Sequence, residues 1–115
     1  MAERLLLAQG LDALWVQNYA AAMDPFMSLV PLARATRRIR LGVVVVSPQE
    51  LHPLKLANQL VTLNEISGGR GAVVVGRGGE WLGMMGVAFT PRVQALAEAL
   101  DIIRRMARGE ARQRP

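Results

Sequence analysis

Two hydrophobic periods alternate along the chain. Short apolar runs rich in β-branched residues predict strands at 11–16, 39–46 and 70–75. The run at 39–46 is the most continuous of the three, which is typical of a parallel strand covered on both faces. Longer stretches with helical spacing separate the runs. The pattern therefore predicts an α/β fold in which βα units surround a parallel sheet.

Proline and glycine mark the ends of the predicted helices. Asp24 followed by Pro25 is typical of a helix start, because the carboxylate accepts from free N–H groups and proline suits the first turn. This helix is expected to reach about residue 37. Pro31 within it predicts either a kink or a start nearer Ser28.

Two more helices follow the same signals. Pro53 opens the first, and Ser67-Gly68-Gly69 ends it. Thr90 and Pro91 form a cap and first-turn pair for the last helix. One side of that helix is predicted to carry its apolar residues, which are Val93, Leu96, Ala97, Leu100, Ile103 and Ala107.

Composition narrows the class of protein. Apolar residues make up 51% of the chain and charged residues 20%, which is too apolar for a disordered chain. We expect one domain over 1–108 and a basic tail at 109–115. The apolar runs are far shorter than the roughly 20 residues that cross a bilayer, so no membrane partner is expected. The N-terminus lacks the features of a signal peptide, and the cytoplasm is the expected location.

The net charge of +5 raises the question of a nucleic-acid partner. Residues 104–115 hold five arginines against one glutamate, a net +4, so most of the excess lies at one end. A basic end of this kind is more often solvated than a binding patch. The five aromatic residues are scattered without the spacing of a single-strand reader, and no nucleic-acid partner is predicted.

Several chemistries are excluded by residue counts. The chain has no cysteine and one histidine, His52, which removes disulfides, thiolate nucleophiles and cysteine or multi-histidine metal centres. No metal site is predicted. Ser47 lacks a nucleophile elbow, so hydrolase chemistry is unsupported. At the entrance of a predicted helix, His52 is expected to have a structural role rather than an acid–base one.

In parallel α/β folds the site forms at the carboxyl ends of the strands, here 17–19, 44–48 and 76–81. The glycine-rich loop at 76–79 either brings backbone N–H groups and the Arg77 guanidinium to an anion or flat ring, or is simply a turn after a strand. It matches neither a Walker loop nor the dinucleotide fingerprint.

Polar residues near these strand ends are the weaker candidates. Asn18 and Tyr19 either bind a ligand or end the first strand. Tyr19 and Glu80 are the acid–base candidates, although exposure or packing is the more common role for such residues. Trp81 offers a surface for stacking.

The ordered set of segments is similar to one known family. The segments are Leu-Asp-Ala-Leu-Trp-Val at 11–16, Asp-Pro-Phe at 24–26, Arg-Ile-Arg-Leu-Gly at 38–42, His-Pro-Leu at 52–54, Gln-Leu-Val-Thr-Leu-Asn-Glu-Ile-Ser-Gly-Gly-Arg at 59–70 and Val-Gly-Arg-Gly-Gly at 75–79. Together they resemble the bacterial-luciferase-like flavin-dependent oxidoreductases over about residues 11–106.

The resemblance implies a (β/α)8 barrel that binds FMN or a deazaflavin coenzyme at its mouth and transfers hydride, in many members for monooxygenation of a small-molecule substrate. Residues 44–47 resemble the strand end behind the isoalloxazine ring, where many members have a non-prolyl cis peptide; Val44-Val45 is the corresponding bond. The implied cofactor-binding residues are Asn18, Val44, Val45, Ser47, Gly76, Arg77 and Gly78.

Two departures from the family pattern matter. Many members have an acidic residue and a histidine where this chain has Asn18-Tyr19. A full barrel also takes roughly 250 residues, so this chain supplies a partial TIM barrel of about three strands. Such a piece has unpaired edges and an exposed apolar face, so we expect either a longer polypeptide or a homo-oligomer. The alternative function is a non-catalytic βα scaffold or association subunit that binds no cofactor.

Overall fold

The computed structural model describes residues 2–19, 23–77, 81–86 and 93–109, and these form a parallel three-stranded sheet with helices against one face. The elements are α1 (Ala2–Ala8), β1 (Ala13–Gln17), α2 (Pro25–Ala35), β2 (Arg40–Val46), α3 (Pro53–Ile66), β3 (Gly71–Val75), α4 (Trp81–Met84) and α5 (Val93–Ala107). The strand order is β1-β2-β3. The predicted α/β class with three parallel strands is confirmed. Within the described ranges, no helix combines the length and apolarity that a membrane span requires.

The pairing register divides the strand residues between two faces of the sheet. Leu14 lies opposite Leu41, and Trp15 lies opposite Gly42. Because side chains alternate along a strand, Leu41 and Val43 point to one face, while Trp15, Gly42 and Val44 point to the other. We call these the helix-covered face and the open face.

The helix-covered face carries the hydrophobic core. Leu41 and Val43 are fully buried there and pack with Leu29 of α2 and with Leu56 and Leu63 of α3. Burying one such side chain contributes about 1.5–3 kcal/mol. The predicted two-sided cover of β2 is therefore present on one side only among the described residues.

The start of α2 follows the capping signal. The Asp24 carboxylate accepts a hydrogen bond from the backbone N–H of Met27 at 2.8 Å, and the helix begins at Pro25. The alternative start near Ser28 is therefore wrong. Pro31 is exposed within the helix, where its missing N–H leaves only the Met27 carbonyl without its usual partner. The helix ends at Ala35, two residues before the expected end.

His52 is the N-cap of α3, which is a structural role of the kind predicted for it. Its Nδ1 accepts a hydrogen bond from the backbone N–H of Leu54 at 3.1 Å. At the other end, Gly68 and Gly69 have φ values of +70° and +93°, a conformation that glycine adopts without strain.

The buried side of α5 differs from the predicted one. Ala99 and Ile103 are its buried residues, with Met106 packed beside them, whereas Val93, Ala97 and Ala107 are exposed. The helix carries apolar residues on more than one side, and its contact with α3 decides which side is covered. The predicted cap Thr90-Pro91 lies outside the described residues.

Arg70 ties α2 and α3 to the sheet at the amino ends of the strands. Its guanidinium donates to the carbonyl oxygens of Ala33, Thr36, Ile39 and Ser67 and to the Thr36 hydroxyl, at 2.7–2.9 Å. One side chain thus ends α2, contacts the entry to β2 and closes the turn after α3.

Glu3 attaches α1 at the same end of the sheet. Its carboxylate accepts from the backbone N–H groups of Ile39, Arg38 and Arg37 at 2.7–2.9 Å. These hydrogen bonds, in that order, and the nearby Arg70 charge lower the pKa of Glu3 from 4.5 to about 2.

Candidate functional site

The carboxyl ends of the three strands meet at one end of the sheet. The backbone N–H of Asn18, just after β1, donates to the Val44 carbonyl at 2.9 Å. The N–H of Gly76, just after β3, donates to the Val46 carbonyl at 2.9 Å. The described parts of the three predicted segments therefore lie side by side, and β2 is in the middle.

The peptide bond between Val44 and Val45 is cis, as the family resemblance implied. Pairing with β3 is irregular at this point, because Val44 lies opposite Val74 and Val46 lies opposite Val75. A Cβ atom on Gly76 would lie 2.5 Å from Cγ1 of Val45. Glycine at this position therefore leaves the room that the Val45 side chain occupies.

Asn18 holds the carbonyl of Val45. Its Nδ2 donates to that oxygen at 3.2 Å and also to the carboxylate of Glu50. Asn18 thus donates to the end of β2 and to the loop that follows it, and so orients the β2 end. Sequence reasoning missed Glu50; an acidic residue three positions after Ser47, in the loop of a central strand, was the available signal.

Ser47 joins the ends of β2 and β3. Its side chain is fully buried, and its hydroxyl donates to the Arg77 carbonyl at 3.0 Å while it accepts from the Gln49 N–H at 3.1 Å. These two hydrogen bonds hold the two loops at a set separation. Ser47 therefore positions the segment that carries Arg77.

The remaining predicted site residues differ in their surroundings. Tyr19 is 57% exposed, and its hydroxyl donates to the side-chain oxygen of Gln17. Arg77 is exposed, and its guanidinium makes no hydrogen bond or ion pair with another described residue. Gly78 and Glu80 lie outside the described residues, as does the side chain of Trp81.

The open face continues from this end of the sheet as an apolar wall. Val74 is 41% exposed and Trp15 43% exposed, and Val44 lies between their strands. A planar ring system fits such a wall, because the faces of the ring are apolar. The residues present thus fit the ring of a flavin or deazaflavin.

A cleft of about 260 Å³ lies beside the strand ends. Its lining residues are Asn18, Tyr19, Asp24, Pro25, Phe26, Val46, Glu50, Leu51, Gln59 and Met85. Among these described lining residues, two are carboxylates and none is lysine or arginine, although the chain carries net positive charge. The Oε1 atom of Gln59 is buried without a hydrogen-bond donor among the described residues. Sequence reasoning missed this cleft, because α2, α3, the end of β2 and the segments after β1, β2 and α4 build it together.

Comparisons with known proteins identify the family of this chain. The family model described as luciferase-like monooxygenase matches residues 3–113. The 5,10-methylenetetrahydromethanopterin reductase of Archaeoglobus fulgidus is 32% identical over 103 residues, which cover 89% of this chain and 31% of that protein.

Two solved structures show the same fold. The coenzyme F420-dependent tetrahydromethanopterin reductase of Methanopyrus kandleri matches 92% of this chain and 34% of its own, with a TM-score of 0.72 and 24% identity. The oxygenating constituent of 3,6-diketocamphane monooxygenase from Pseudomonas putida, in complex with FMN, matches 88% of this chain and 31% of its own, with a TM-score of 0.71 and 22% identity.

This chain thus spans about a third of the length of these relatives. The matching segment holds the three parallel strands of a partial TIM barrel, with the cis peptide at the end of the middle strand. The family model covers nearly the whole chain. The chain belongs to the luciferase-like monooxygenase family.

Proposed function

We propose that this chain supplies the coenzyme-ring site of an oxidoreductase that uses FMN or a deazaflavin and acts on a small-molecule substrate. The observation that supports it is the meeting of Asn18, the Val44-Val45 bond and Gly76-Arg77 at one end of the sheet. The printed descriptions of two structural relatives, one F420-dependent and one holding FMN, support the two coenzyme classes.

The residues have distinct roles in this proposal. Val44 and Val45 back the ring, and Val74 extends the apolar surface beneath it. Arg77 presents a positive charge to the polar edge of the ring, where a guanidinium can donate two hydrogen bonds. When bound, the coenzyme supplies the hydride transfer. Asn18 keeps the Val45 carbonyl in place, and Ser47 keeps the Arg77 segment beside it.

The proposed site is completed by protein beyond these three strands. Among the described residues, β1 and β3 each pair along one edge only, and the open face is uncovered. Further barrel strands, from a longer polypeptide or from other copies of this chain, would cover that face and close the mouth. Whole-enzyme activity and substrate choice belong to that completed assembly.

Titration of the purified chain with FMN and with oxidised deazaflavin tests the coenzyme proposal. We expect quenching of coenzyme fluorescence with a micromolar dissociation constant. Gly76→Ala should weaken binding at least tenfold, because the new methyl group displaces Val45. Gly83→Ala is the matched control, since a Cβ there meets open space. Absence of binding at millimolar coenzyme would instead support the alternative, a non-catalytic association subunit.

A further inference from the structure

Trp15 and Gly42 form a single packed unit on the open face. A Cβ atom on Gly42 would lie 2.3 Å from Cζ3 and 2.4 Å from Cε3 of the Trp15 indole. The six-membered ring of the indole therefore occupies the space that any other residue at position 42 would need. Gly42 is buried although it belongs to the open face, because this ring covers it.

The strand register places this indole directly below the proposed ring site. Trp15, Gly42 and Ala72 form one row across the three strands, and Gln17, Val44 and Val74 form the next row towards the carboxyl ends. Successive rows on one face are about 7 Å apart. In the lower row, the large Trp15 side chain on β1 is followed by two small residues, Gly42 on β2 and Ala72 on β3, so the indole can extend from β1 over β2.

Part of the Trp15 side chain is exposed to solvent. Trp15 is 43% exposed although its ring contacts Gly42, so a large part of its area is free for a further contact. Its neighbours in the upper row, Val44 and Val74, are the residues that back the coenzyme in the proposed function. A planar ring seated on that row would meet the indole at its lower edge and displace water from it.

We propose that Trp15, packed against Gly42, is a positioning residue for the coenzyme ring: it forms the floor of the site and sets the depth at which the ring lies. This inference rests on the proposed function. Leucine at position 15 would give a smaller, non-planar surface beneath the coenzyme ring, whereas phenylalanine would keep a planar surface on Gly42.

The test measures coenzyme affinity and Trp15 emission in the full chain. Trp15→Leu should lower FMN affinity at least tenfold, and Trp15→Phe should restore most of it. Gly42→Ala, which forces the indole off β2, should lower affinity as Trp15→Leu does, whereas Gly83→Ala should not. Circular dichroism and a thermal melt confirm that each variant is folded. Should Gly42→Ala unfold the chain, the Trp15→Leu and Trp15→Phe pair decides the matter.

A spectroscopic reading separates positioning from general stability. In a Trp81→Phe background Trp15 is the sole tryptophan, and FMN binding should introduce a picosecond component in its emission decay, which requires near contact. FMN bound with equal affinity by wild type and Trp15→Leu, or without that component, would overturn the inference and leave the proposed function standing. Failure of wild type to bind FMN or deazaflavin would overturn both.

Discussion

The two faces of the same three-stranded sheet differ sharply in their surroundings. On the helix-covered face, Leu41 and Val43 are fully buried among α2 and α3 residues. On the open face, Trp15 of β1 and Val74 of β3 are 43% and 41% exposed. Both faces carry apolar side chains, and the open face also carries the exposed Arg40 and Gln17 at its two ends.

The difference shows which part of a barrel this segment can complete by itself. The helices that follow each strand in sequence fold back onto the outer face, so cover for that face is local. The inner face of a barrel is filled by side chains from strands all around it, so its cover is distant in sequence. A segment of three strands therefore covers its outer face with its own helices, whereas its inner face needs side chains from other strands to cover it.

The strongest test of this comparison truncates one apolar side chain on each face. Leu41→Ala should lower the free energy of unfolding by about 2–5 kcal/mol, because it opens a cavity in the core. Val74→Ala, its counterpart on the open face, should cost less than about 1 kcal/mol. Urea denaturation followed by circular dichroism measures both. Equal losses would mean that the open face is also buried in solution, by another copy of the chain.

Substitution of Arg70 tests how much its hydrogen bonds between the helices and the sheet contribute to the free energy of unfolding. Arg70→Lys should lower the free energy of unfolding by about 2–3 kcal/mol, because an ammonium group cannot replace five directed hydrogen bonds to four residues. Arg34→Lys on α2 is the matched control, since Arg34 is exposed, and it should be neutral in the same denaturation experiment. A neutral Arg70→Lys would contradict the assigned fastening role.

Substitution of Ser47 tests the contact between the carboxyl ends of β2 and β3 beside the proposed site. Ser47→Ala should cost about 1–2 kcal/mol, since it leaves the Arg77 carbonyl and the Gln49 N–H without their partner. Thr62→Ala removes only a local helix hydrogen bond and should cost less. Coenzyme titration of the same variants should show weaker binding for Ser47→Ala alone, and unchanged binding would separate Ser47 from the site.

The smallest expected effect is the pH dependence that Glu3 introduces. Because its folded pKa is lowered to about 2, its contribution to folding is complete above about pH 4.5 and is lost as the pH falls towards 2. Thermal melts over that range should show a shallower acid-induced drop in Tm for Glu3→Gln than for wild type. Glu98→Gln, a change at an exposed position of α5, should keep the wild-type slope, and parallel curves for all three proteins would refute the assignment.

Local signals predicted most of the fold. The continuous apolar run at 39–46 became β2 at Arg40–Val46, and the caps Asp24 and His52 lie where α2 and α3 begin. These features depend on neighbours within a few residues, which a sequence pattern contains. The short helix α4 was not predicted, because four residues carry too little periodicity.

The site was predicted only in outline. That three loops would meet followed from the parallel topology, and the cis bond at Val44-Val45 followed from the family resemblance. The contacts that organise it join residues 27–32 positions apart, as Asn18 does with Val45 and Glu50, and Ser47 joins Arg77 across 30. No periodicity encodes such pairs.

By itself the sequence determined the βα alternation, the helix caps and the membership of a family, because each is written in residues close together or in an ordered set of motifs. The tertiary structure decided that Trp15 would lie on Gly42, that Arg70 would join two helices to the sheet and that one apolar face would be covered and the other open. The reason is physical. The residues of an apolar strand do not specify which element will cover each face, because that cover depends on how whole helices and strands pack together.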